Sequence, residues 1–418
     1  MGIKGLTKFL ADQAPSALQM EARASLLGRV VAVDASMALY QFLTAVRDAQ
    51  TMGNLTDESG NVTSHLAGML ARVTRMLEQG IRPVYVFDGA APEQKAAELD
   101  RRRERREEAV ALAEAAKEAG DTAELRKQLA RTIRVSPEQN AEVQRLLQLL
   151  GLPVVKAPGE AEAQCAALAK SGKVWASATE DADALTFGTP ILIRNLTFSD
   201  SSTSSSSSGA GSGTGVKGHP VLSIRLDKVL SQLQLTMDQF IDFCILCGCD
   251  YCGSIRGVGA KTAYNMIKQH GNIEGVLEAL DKEKYTVPDP FPFQAARECF
   301  KQPLVLPPEE ISLKWGDVDE QGLKQFLVQE RTFSEARVEG YLQRLRKAKG
   351  LSTQTRLENF FGSTVSKASD LAVKQKTEQA NSKNAQKKRS GHFKGPPAKE
   401  LGGHRGDSHD RNRLTAPT

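Results

Sequence analysis

Short apolar runs that end in a carboxylate recur along this chain, with helix-forming sequence between them. RVVAVD occupies residues 29–34, RPVYVFD occupies 82–88, and GKVWASATEDAD, at 172–183, ends in two aspartates. PILIR, at 190–194, is a fourth candidate strand. Helical patterns fill four other stretches, residues 61–79, 98–131, 137–150 and 159–170. Strands that alternate with helices predict an α/β fold, with a mostly parallel twisted sheet flanked by helices.

Acidic residues stand where such a sheet binds its ligands, at the carboxyl ends of strands or at nearby helix ends. The candidates are Asp34, Asp88, Glu160, Glu162, Asp181, Asp183 and Asp250. A single aspartate after a strand is more often a helix N-cap, so the prediction depends on their number. Converging carboxylates repel one another unless hard cations that prefer oxygen ligands, such as Mg²⁺, neutralise them. Two such ions about 4 Å apart activate water and stabilise the leaving oxygen in phosphodiester hydrolysis.

The bulk composition narrows the class of protein. With 418 residues, 40% of them hydrophobic, the chain is long enough to bury the cores of one to three domains. It has neither an apolar run of about 20 residues nor a secretory h-region, so a membrane-spanning or secreted protein is not expected. Its six cysteines are then expected to be reduced thiols of the cytosol or nucleus.

Two segments stand apart from the sheet pattern. Residues 98–131 are rich in Ala, Glu and Arg, carry only a thin apolar stripe, and contain a predicted break at Gly120 and Asp121. They form either an ordinary exposed helical hairpin or an arch whose basic side faces phosphates. Residues 199–219 are a Ser/Gly tract, which predicts a flexible insertion in a loop.

The C-terminal tail, residues 362–418, is polar and is predicted to be disordered. It holds twelve Lys and Arg and five Asp and Glu, which give the tail a net charge of +7. Because the whole chain carries +5, the rest of the chain has a net charge of −2. This distribution indicates a polyanionic partner, whereas the basic run from Lys387 to Arg389 also fits a nuclear-import signal. The two interpretations are compatible.

Seven segments, in their order and spacing, resemble the eukaryotic flap endonucleases of the structure-specific 5′-nuclease (XPG/Rad2-like) superfamily. They read MGIKGL, VAVDASMALYQFL, TSHLAGML, PVYVFDG, APGEAEAQCAAL, ATEDADALTFG and LCGCDYCGSIRGVGAKTA. The resemblance runs from residue 1 to about residue 350. It implies an N-terminal nuclease region at 1–106 and the remainder of a helical arch at 107–135. An internal nuclease region follows at 136–270, with a helix–two-turn–helix module at about 240–270, and the C-terminal part of the core occupies 271–350. A clamp-binding box at 354–361 and the tail come last.

The resemblance also implies a role for each acidic residue. The family's first Mg²⁺ site corresponds to Asp34, Asp88, Glu160 and Glu162, and its second to Asp181, Asp183 and Asp250. Mn²⁺ is expected to substitute for Mg²⁺. Lys95 and Arg102 correspond to basic residues that act in catalysis with Asp181, by steering the scissile phosphate and stabilising charge in the transition state.

DNA contacts that do not read base sequence are implied as well. Tyr40 corresponds to an aromatic residue that stacks on a terminal base, although core packing is the alternative for this side chain. The glycine-rich turn after Asp250 corresponds to a helix–two-turn–helix module that grips one strand of a duplex and holds K⁺. The expected DNA-binding residues are Gly2, Tyr40, Arg47, Arg72, Glu160, Gly248, Asp250, Arg256, Gly257, Gly259 and Lys261.

The segment QTRLENFF supplies a clamp-interaction box formed by Gln354, Leu357, Phe360 and Phe361. Aromatic side chains beside a disordered tail have no core to join, so they predict a partner's pocket. The expected partner is the trimeric sliding clamp, proliferating cell nuclear antigen (PCNA). One monomeric nuclease is expected on each clamp subunit, up to three per trimer, and no membrane is involved.

The activity implied is cleavage of branched DNA at the base of a 5′ flap, with 5′–3′ exonuclease activity. The implied pathways are Okazaki-fragment maturation and long-patch base excision repair, in the nucleolus and nucleoplasm, with the mitochondrion open as a second compartment. Three alternatives remain. They are a sister nuclease for bubbles, gaps or Holliday junctions, a clamp-bound scaffold without catalysis, and a cytosolic RNA exonuclease of the same superfamily.

Two departures from the family pattern are present. Cys247 and Cys249 replace the usual Leu and Ser and complete the pattern C-x-x-C-x-C-x-x-C over residues 244–252. This spacing invites a zinc or iron–sulfur interpretation, but the two pairs are too close together for the usual zinc loop. Ala90 and Ala91 replace Lys-Pro, which predicts one weaker phosphate contact.

Overall fold

The described strands form one sheet. In chain order they are β1 Leu18–Glu21, β2 Val30–Asp34, β3 Arg82–Phe87, β4 Val154–Lys156, β5 Ala176–Ala178, β6 Ile191–Arg194 and β7 Val221–Arg225. Across the sheet the order is β1-β7-β6-β5-β2-β3-β4. The strands from β6 to β4 are parallel, and β7 pairs antiparallel with both β6 and β1. The predicted mostly parallel sheet is confirmed.

The computed structural model describes residues 2–45, 62–196 and 220–351. These residues belong to one compact unit, Met1–Thr355. Arg47, the Ser/Gly tract, the clamp-interaction box and the tail lie outside the described residues, so the expectations for them remain predictions. In the three described ranges, no helix is both long enough and apolar enough to cross a membrane.

Helices cover the sheet and connect its strands. In the described ranges the α-helices are α1 Leu6–Gln13, α2 Ala35–Ala45, α3 Ser64–Glu78, α4 Ala96–Glu118, α5 Thr122–Arg131, α6 Pro137–Leu149, α7 Ala161–Lys170, α8 Asp183–Thr186, α9 Leu226–Leu233, α10 Met237–Cys247, α11 Ala260–His270, α12 Ile273–Glu278, α13 Phe293–Lys301, α14 Glu320–Lys324 and α15 Glu335–Leu351. The predicted helical stretches therefore correspond to α3 to α7. A π-helical turn, Gln325–Glu330, continues α14.

Burial on both faces of the sheet explains why its strands read as continuous apolar runs. Along β2, Val31 and Val33 pack in a cluster with Leu66 of α3. Ala32, which points the other way, packs in a second cluster with Leu168 of α7. Because neither face meets water, period-two alternation is absent from this strand. The edge strand β1 reads LQME and is partly exposed, so no apolar run marks it in the sequence.

The hairpin formed by α4 and α5 breaks at the predicted position. Gly120 has a φ of +70° and follows the end of α4. Asp121 caps α5 by accepting hydrogen bonds from the backbone N–H groups of Ala123 and Glu124 at 3.1 and 3.0 Å. The buried residues of α4 are all small, which lets α5 pack closely against it. They are Ala109, Ala113 and Ala116.

Asp242 of α10 ties three helices together. Arg297 of α13 donates two hydrogen bonds to its carboxylate, at 2.7 and 2.8 Å. The backbone N–H of Ile273, at the start of α12, donates a third at 3.1 Å. Arg297 also pairs with Glu274 at 2.8 Å. This buried network fixes α10, and the candidate residue Asp250 follows the end of that helix.

Removing the Asp242 carboxylate is expected to destabilise the fold. Asp242→Ala should lower the free energy of unfolding by about 3 kcal/mol, because a charged partner is lost from a largely buried pair. Asp238→Ala is the matched control on the same helix: its carboxylate meets Lys301 at 2.8 Å, but the Asp238 side chain is 74% exposed. That control should cost about 1 kcal/mol or less. Urea unfolding followed by circular dichroism measures both losses, and equal losses would contradict this account of Asp242.

Candidate active site

The sheet brings the predicted acidic residues to its carboxyl edge. Asp34 ends β2 and Asp88 follows β3 directly. Glu160 is the N-cap residue of α7, and Glu162 lies in the first turn of that helix. The remaining members come after β5 and after α10, and they are Asp181, Asp183 and Asp250. A cleft of about 330 Å³ is lined by four of these carboxylates, namely Asp34, Asp88, Glu160 and Glu162.

Local hydrogen bonds hold the first two carboxylates in place. One oxygen of Asp34 accepts from the backbone N–H of Met37 in α2 at 3.0 Å, and the other accepts from the Thr179 hydroxyl at 3.0 Å. Asp88 accepts from the backbone N–H of Ala161, the first residue of α7, at 2.7 Å. Both aspartates therefore receive a helix N-terminal amide, as an N-cap does, while they remain part of the acidic cluster.

Burial and mutual repulsion oppose ionisation within this cluster. Burial raises the pKa of Asp34 to about 7, and the neighbouring charges of Asp88 and Asp181 add to the shift. Burial, followed by repulsion from Asp34 and Asp88, raises the pKa of Glu162 well above its usual value. Burial and the nearby Asp181 shift the pKa of Asp183 in the same direction. Such an arrangement favours a bound cation, which stabilises the ionised form of every member.

The donor set fits a hard divalent cation. All seven candidate ligands are carboxylates, the ligand type that Mg²⁺ and Mn²⁺ prefer. Asp183 Oδ1 is buried and accepts no hydrogen bond from any described residue. Within the described ranges, no three acidic, histidine or cysteine side chains are already arranged to hold a metal ion. The match between this site and a hard divalent cation therefore rests on the carboxylate ligands, on their burial and on the unsatisfied oxygen of Asp183.

Two cationic side chains lie among the carboxylates. Lys95, just before α4, forms ion pairs through Nζ with Glu160 and with Asp250, the latter at 3.4 Å. Arg102, two turns along the same segment, donates from Nη2 to Asp250. Burial opposes the charge of Lys95, but Glu160, Glu162 and Asp250 together hold its pKa above the usual value. Both side chains therefore remain positively charged at the mouth of the cleft.

Two hydroxyl groups that the sequence patterns do not single out orient the cluster. Tyr251 is buried, and its hydroxyl donates to Glu160. Thr179 donates to Asp34 and accepts from the backbone N–H of Asp181 at 3.1 Å, so it links the two predicted metal sites. Tyr251 directly follows Asp250, and Thr179 lies two residues before Asp181. Proximity in sequence to a predicted ligand is therefore the signal that could have identified each of them.

Gly2 lies directly against the cluster. Its φ is +68°, and a Cβ atom built on it would lie 1.9 Å from Asp181 Oδ1. Only a residue without a side chain fits here, because a side chain would displace the carboxylate. The start of the chain is therefore part of this site.

A second cleft, of about 570 Å³, adjoins the acidic one and is strongly basic. It is bounded by the hairpin on one side and by residues 249 and 250 and 252–254 on the other. Its basic lining residues are Lys4, Arg101, Arg102, Arg105, Arg106, Arg131 and Arg134. The basic side of the α4–α5 hairpin thus faces a cleft that ends at Asp250, as the arch interpretation requires.

The other candidate DNA-binding residues differ in where they lie. Tyr40 is half-buried and lines both clefts, so it does not belong to the hydrophobic core. The Arg72 guanidinium lies 4.3 Å from the centre of the Phe42 ring and lines neither cleft. The turn between α10 and α11 begins at Gly248, and this turn and the first residues of α11 present exposed residues to solvent. These are Arg256, Gly257, Gly259 and Lys261.

The cysteine-rich segment places its four thiols in two pairs. Cys244 and Cys247 are buried in α10. Cys249 and Cys252 lie beyond the helix, with their sulfur atoms 3.8 Å apart. Within the described ranges no group of three or more cysteines is placed to hold a metal ion.

Comparisons with known families and proteins identify relatives of this chain. The XPG N-terminal domain matches residues 1–109, and the XPG I-region matches residues 151–250. Flap endonuclease 1 of Plasmodium falciparum is 52% identical over 375 residues, which are 90% of this chain and 57% of that protein. Flap endonuclease 1 of Cryptosporidium muris is 50% identical over 378 residues, 90% of this chain and 79% of that protein. The chain spans less than two thirds of the length of the Plasmodium falciparum relative.

Solved structures show the same fold. Flap endonuclease-1 from Methanococcus jannaschii is 30% identical, with a TM-score of 0.59 over 82% of this chain and 99% of that one. The catalytic core of Rad2 in complex with DNA substrate is 25% identical, with a TM-score of 0.61 over 82% of this chain and all of that one.

The Tyr251 hydroxyl is expected to tune cation binding. Tyr251→Phe should weaken Mn²⁺ binding by about tenfold, because Glu160 loses the donor that orients it. Tyr264→Phe is the matched control, since its hydroxyl donates instead to the backbone carbonyl of Leu233 at 3.0 Å. Electron paramagnetic resonance of free Mn²⁺ during titration measures both affinities. Unchanged affinity in Tyr251→Phe, or the same loss in both variants, would contradict the orienting role.

Proposed function

We propose that this chain, which belongs to the flap endonuclease family of XPG-type nucleases, hydrolyses DNA phosphodiester bonds at the base of 5′ flaps. The observation that carries the proposal is the buried acidic cluster at the carboxyl edge of the sheet, with Lys95 and Arg102 at its mouth. A scaffold without catalysis would have no need to gather seven carboxylates, five of them buried, at one edge of the sheet.

The acidic cluster supplies the ligands for two Mg²⁺ ions. In this proposal Asp34, Asp88, Glu160 and Glu162 hold one ion, and Asp181, Asp183 and Asp250 hold the other, with Mn²⁺ as a substitute. When bound, the ions supply Lewis-acid activation of water and of the phosphate. The chain's own task is to fix the carboxylates, through the donors on Met37, Thr179 and Ala161.

Lys95 and Arg102 position the scissile phosphate. Both side chains are charged and lie within reach of the carboxylates at the mouth of the acidic cleft. A phosphate that enters the cleft takes over hydrogen bonds that Asp250 and Glu160 now accept from them. The same donors then stabilise the charge that develops on the phosphate oxygens.

The basic cleft and the turn after α10 hold the two parts of a branched substrate. The arginines of the hairpin face the cleft and neutralise a single-stranded flap, without base readout. Arg256 and Lys261 are exposed beside the glycine-rich turn and grip duplex phosphates, with K⁺ bound at the turn. Tyr40 lines both clefts and is placed to stack on the base where the strand bends into the site.

The remaining parts of the proposal concern residues outside the described ranges. Gln354, Leu357, Phe360 and Phe361 bind PCNA, with one monomeric nuclease per clamp subunit and up to three per trimer. The basic tail and Arg47 contribute further contacts to nucleic acid. The pathways are Okazaki-fragment maturation and long-patch base excision repair in the nucleus, with 5′–3′ exonuclease activity as a second reaction. Relatives named flap endonuclease 1 in Plasmodium falciparum and Cryptosporidium muris support the flap-cleavage part of the proposal.

Cleavage of a labelled 5′-flap duplex tests the proposed reaction. The expected result is Mg²⁺-dependent release of the flap at its base, with an intact duplex and a four-way junction left largely uncut. Preferred cutting of the four-way junction would assign the chain to a sister nuclease. No cutting of any substrate would leave the non-catalytic scaffold as the better account.

Asp181→Ala tests whether the acidic cluster is the catalytic site. Flap cleavage should slow by about 100-fold or more, because the variant removes a metal ligand, whereas flap binding should survive the loss of one negative charge. Asp227→Ala is the matched control, since that side chain is 69% exposed beside Arg225. Single-turnover cleavage and fluorescence anisotropy separate the two effects. Full activity in Asp181→Ala would rule out its assignment as a metal ligand.

The clamp-interaction box has its own test. Phe360→Ala combined with Phe361→Ala should abolish binding to PCNA and clamp stimulation, because the aromatic plug is removed, while basal cleavage stays unchanged. Phe393→Ala, an aromatic residue elsewhere in the tail, should leave clamp binding intact. Calorimetric titration with PCNA gives the affinities. Equal affinity of the double variant and the unaltered chain would remove the box from the proposal.

A further inference from the structure

Cys249 and Cys252 form a thiol pair that the proposed reaction does not use. Their sulfur atoms lie 3.8 Å apart, and the residues between them are Asp250 and Tyr251. Both cysteines line the basic cleft of about 570 Å³, and each residue is 7% exposed. Both thiols are free.

The pair is close to the geometry of a disulfide. A disulfide requires a sulfur–sulfur distance of about 2.05 Å, so the two atoms must approach by roughly 1.8 Å. The separation of two intervening residues is the C-x-x-C spacing found in redox-active thiol pairs. Gly248, whose φ is +107°, immediately precedes this segment and gives the backbone freedom to adjust.

We propose that Cys249 and Cys252 are an oxidisable dithiol, a modification site that disables the nuclease when it closes; the effect on cleavage rests on the proposed function. The oxidant is hydrogen peroxide. One thiol attacks the peroxide oxygen to give a sulfenic acid and water. The second thiol then attacks that sulfur, forms the S–S bond and releases a second water. Two electrons pass from the sulfur atoms to the peroxide, and no further reactant is needed.

Formation of the disulfide affects the site through Asp250 and Tyr251, which lie between the two cysteines. Asp250 accepts from Arg102 and meets Lys95 at 3.4 Å, while Tyr251 donates to Glu160. Drawing the flanking sulfur atoms together shifts the backbone that carries both side chains. The predicted metal ligand Asp250 moves directly, and the predicted ligand Glu160 loses the Tyr251 hydroxyl that orients it. Cleavage is therefore lost without any change in the strands that carry the other carboxylates.

Peroxide treatment of the full-length chain tests the proposal. The peptide that contains Cys249 and Cys252 should lose two hydrogens in mass, and flap cleavage should fall by about tenfold or more because the ligand shell is misaligned. Dithiothreitol should restore both readouts. Absence of the Cys249–Cys252 disulfide would overturn the proposal, and a mapped disulfide with full cleavage would overturn its regulatory consequence.

Two variants make the test specific. Cys249→Ser keeps a small polar side chain but cannot form the disulfide, so peroxide should leave this variant's own cleavage rate unchanged, whatever that rate is before treatment. Cys299→Ser removes a half-buried thiol that is not part of the pair and should stay sensitive. Equal peroxide sensitivity in Cys249→Ser and the unaltered chain would contradict the proposal. If the reduced chain cuts no flap, the proposed function fails, while mass spectrometry still decides whether the dithiol closes.

Discussion

Repulsion among clustered carboxylates governs how this site is built. Burial first, and neighbouring charges second, oppose the ionised forms of Asp34, Glu162 and Asp183, and they raise the pKa of Asp34 to about 7. The fold offsets this cost with cationic groups from Lys95 and Arg102 and with donors from helix N-termini and hydroxyls. A cluster this costly persists only when cations are part of its function, which is why the site, and not the fold alone, indicates the chemistry.

The packing that supports the site leaves its binding surfaces open. In the hairpin, α4 buries only alanines against α5, so its arginines line the basic cleft. In the C-terminal half, the buried contacts of Asp242 with Arg297 fix α10, and the turn that follows presents Arg256 and Lys261 to solvent. Stability and recognition thus depend on different residues of neighbouring segments.

Much of this arrangement is predictable from the sequence. Apolar runs that end in carboxylates predict β2, β3, β5 and β6 and place the acidic residues at one edge of the sheet, because parallel strands share their carboxyl edge. The edge strand β1 lacks such a run. The bonds from Tyr251 to Glu160 and from Thr179 to Asp34 join residues 91 and 145 positions apart, so no local pattern encodes them. The approach of Cys249 to Cys252 likewise depends on how the chain leaves α10.

The most direct test of the central claim is an anomalous difference map from crystals of this chain grown with Mn²⁺. The account predicts two peaks about 4 Å apart, one among Asp34, Asp88, Glu160 and Glu162 and the other among Asp181, Asp183 and Asp250. Absence of both peaks, or a single ion bound away from these carboxylates, would contradict it and would leave the buried acidic cluster without an explanation.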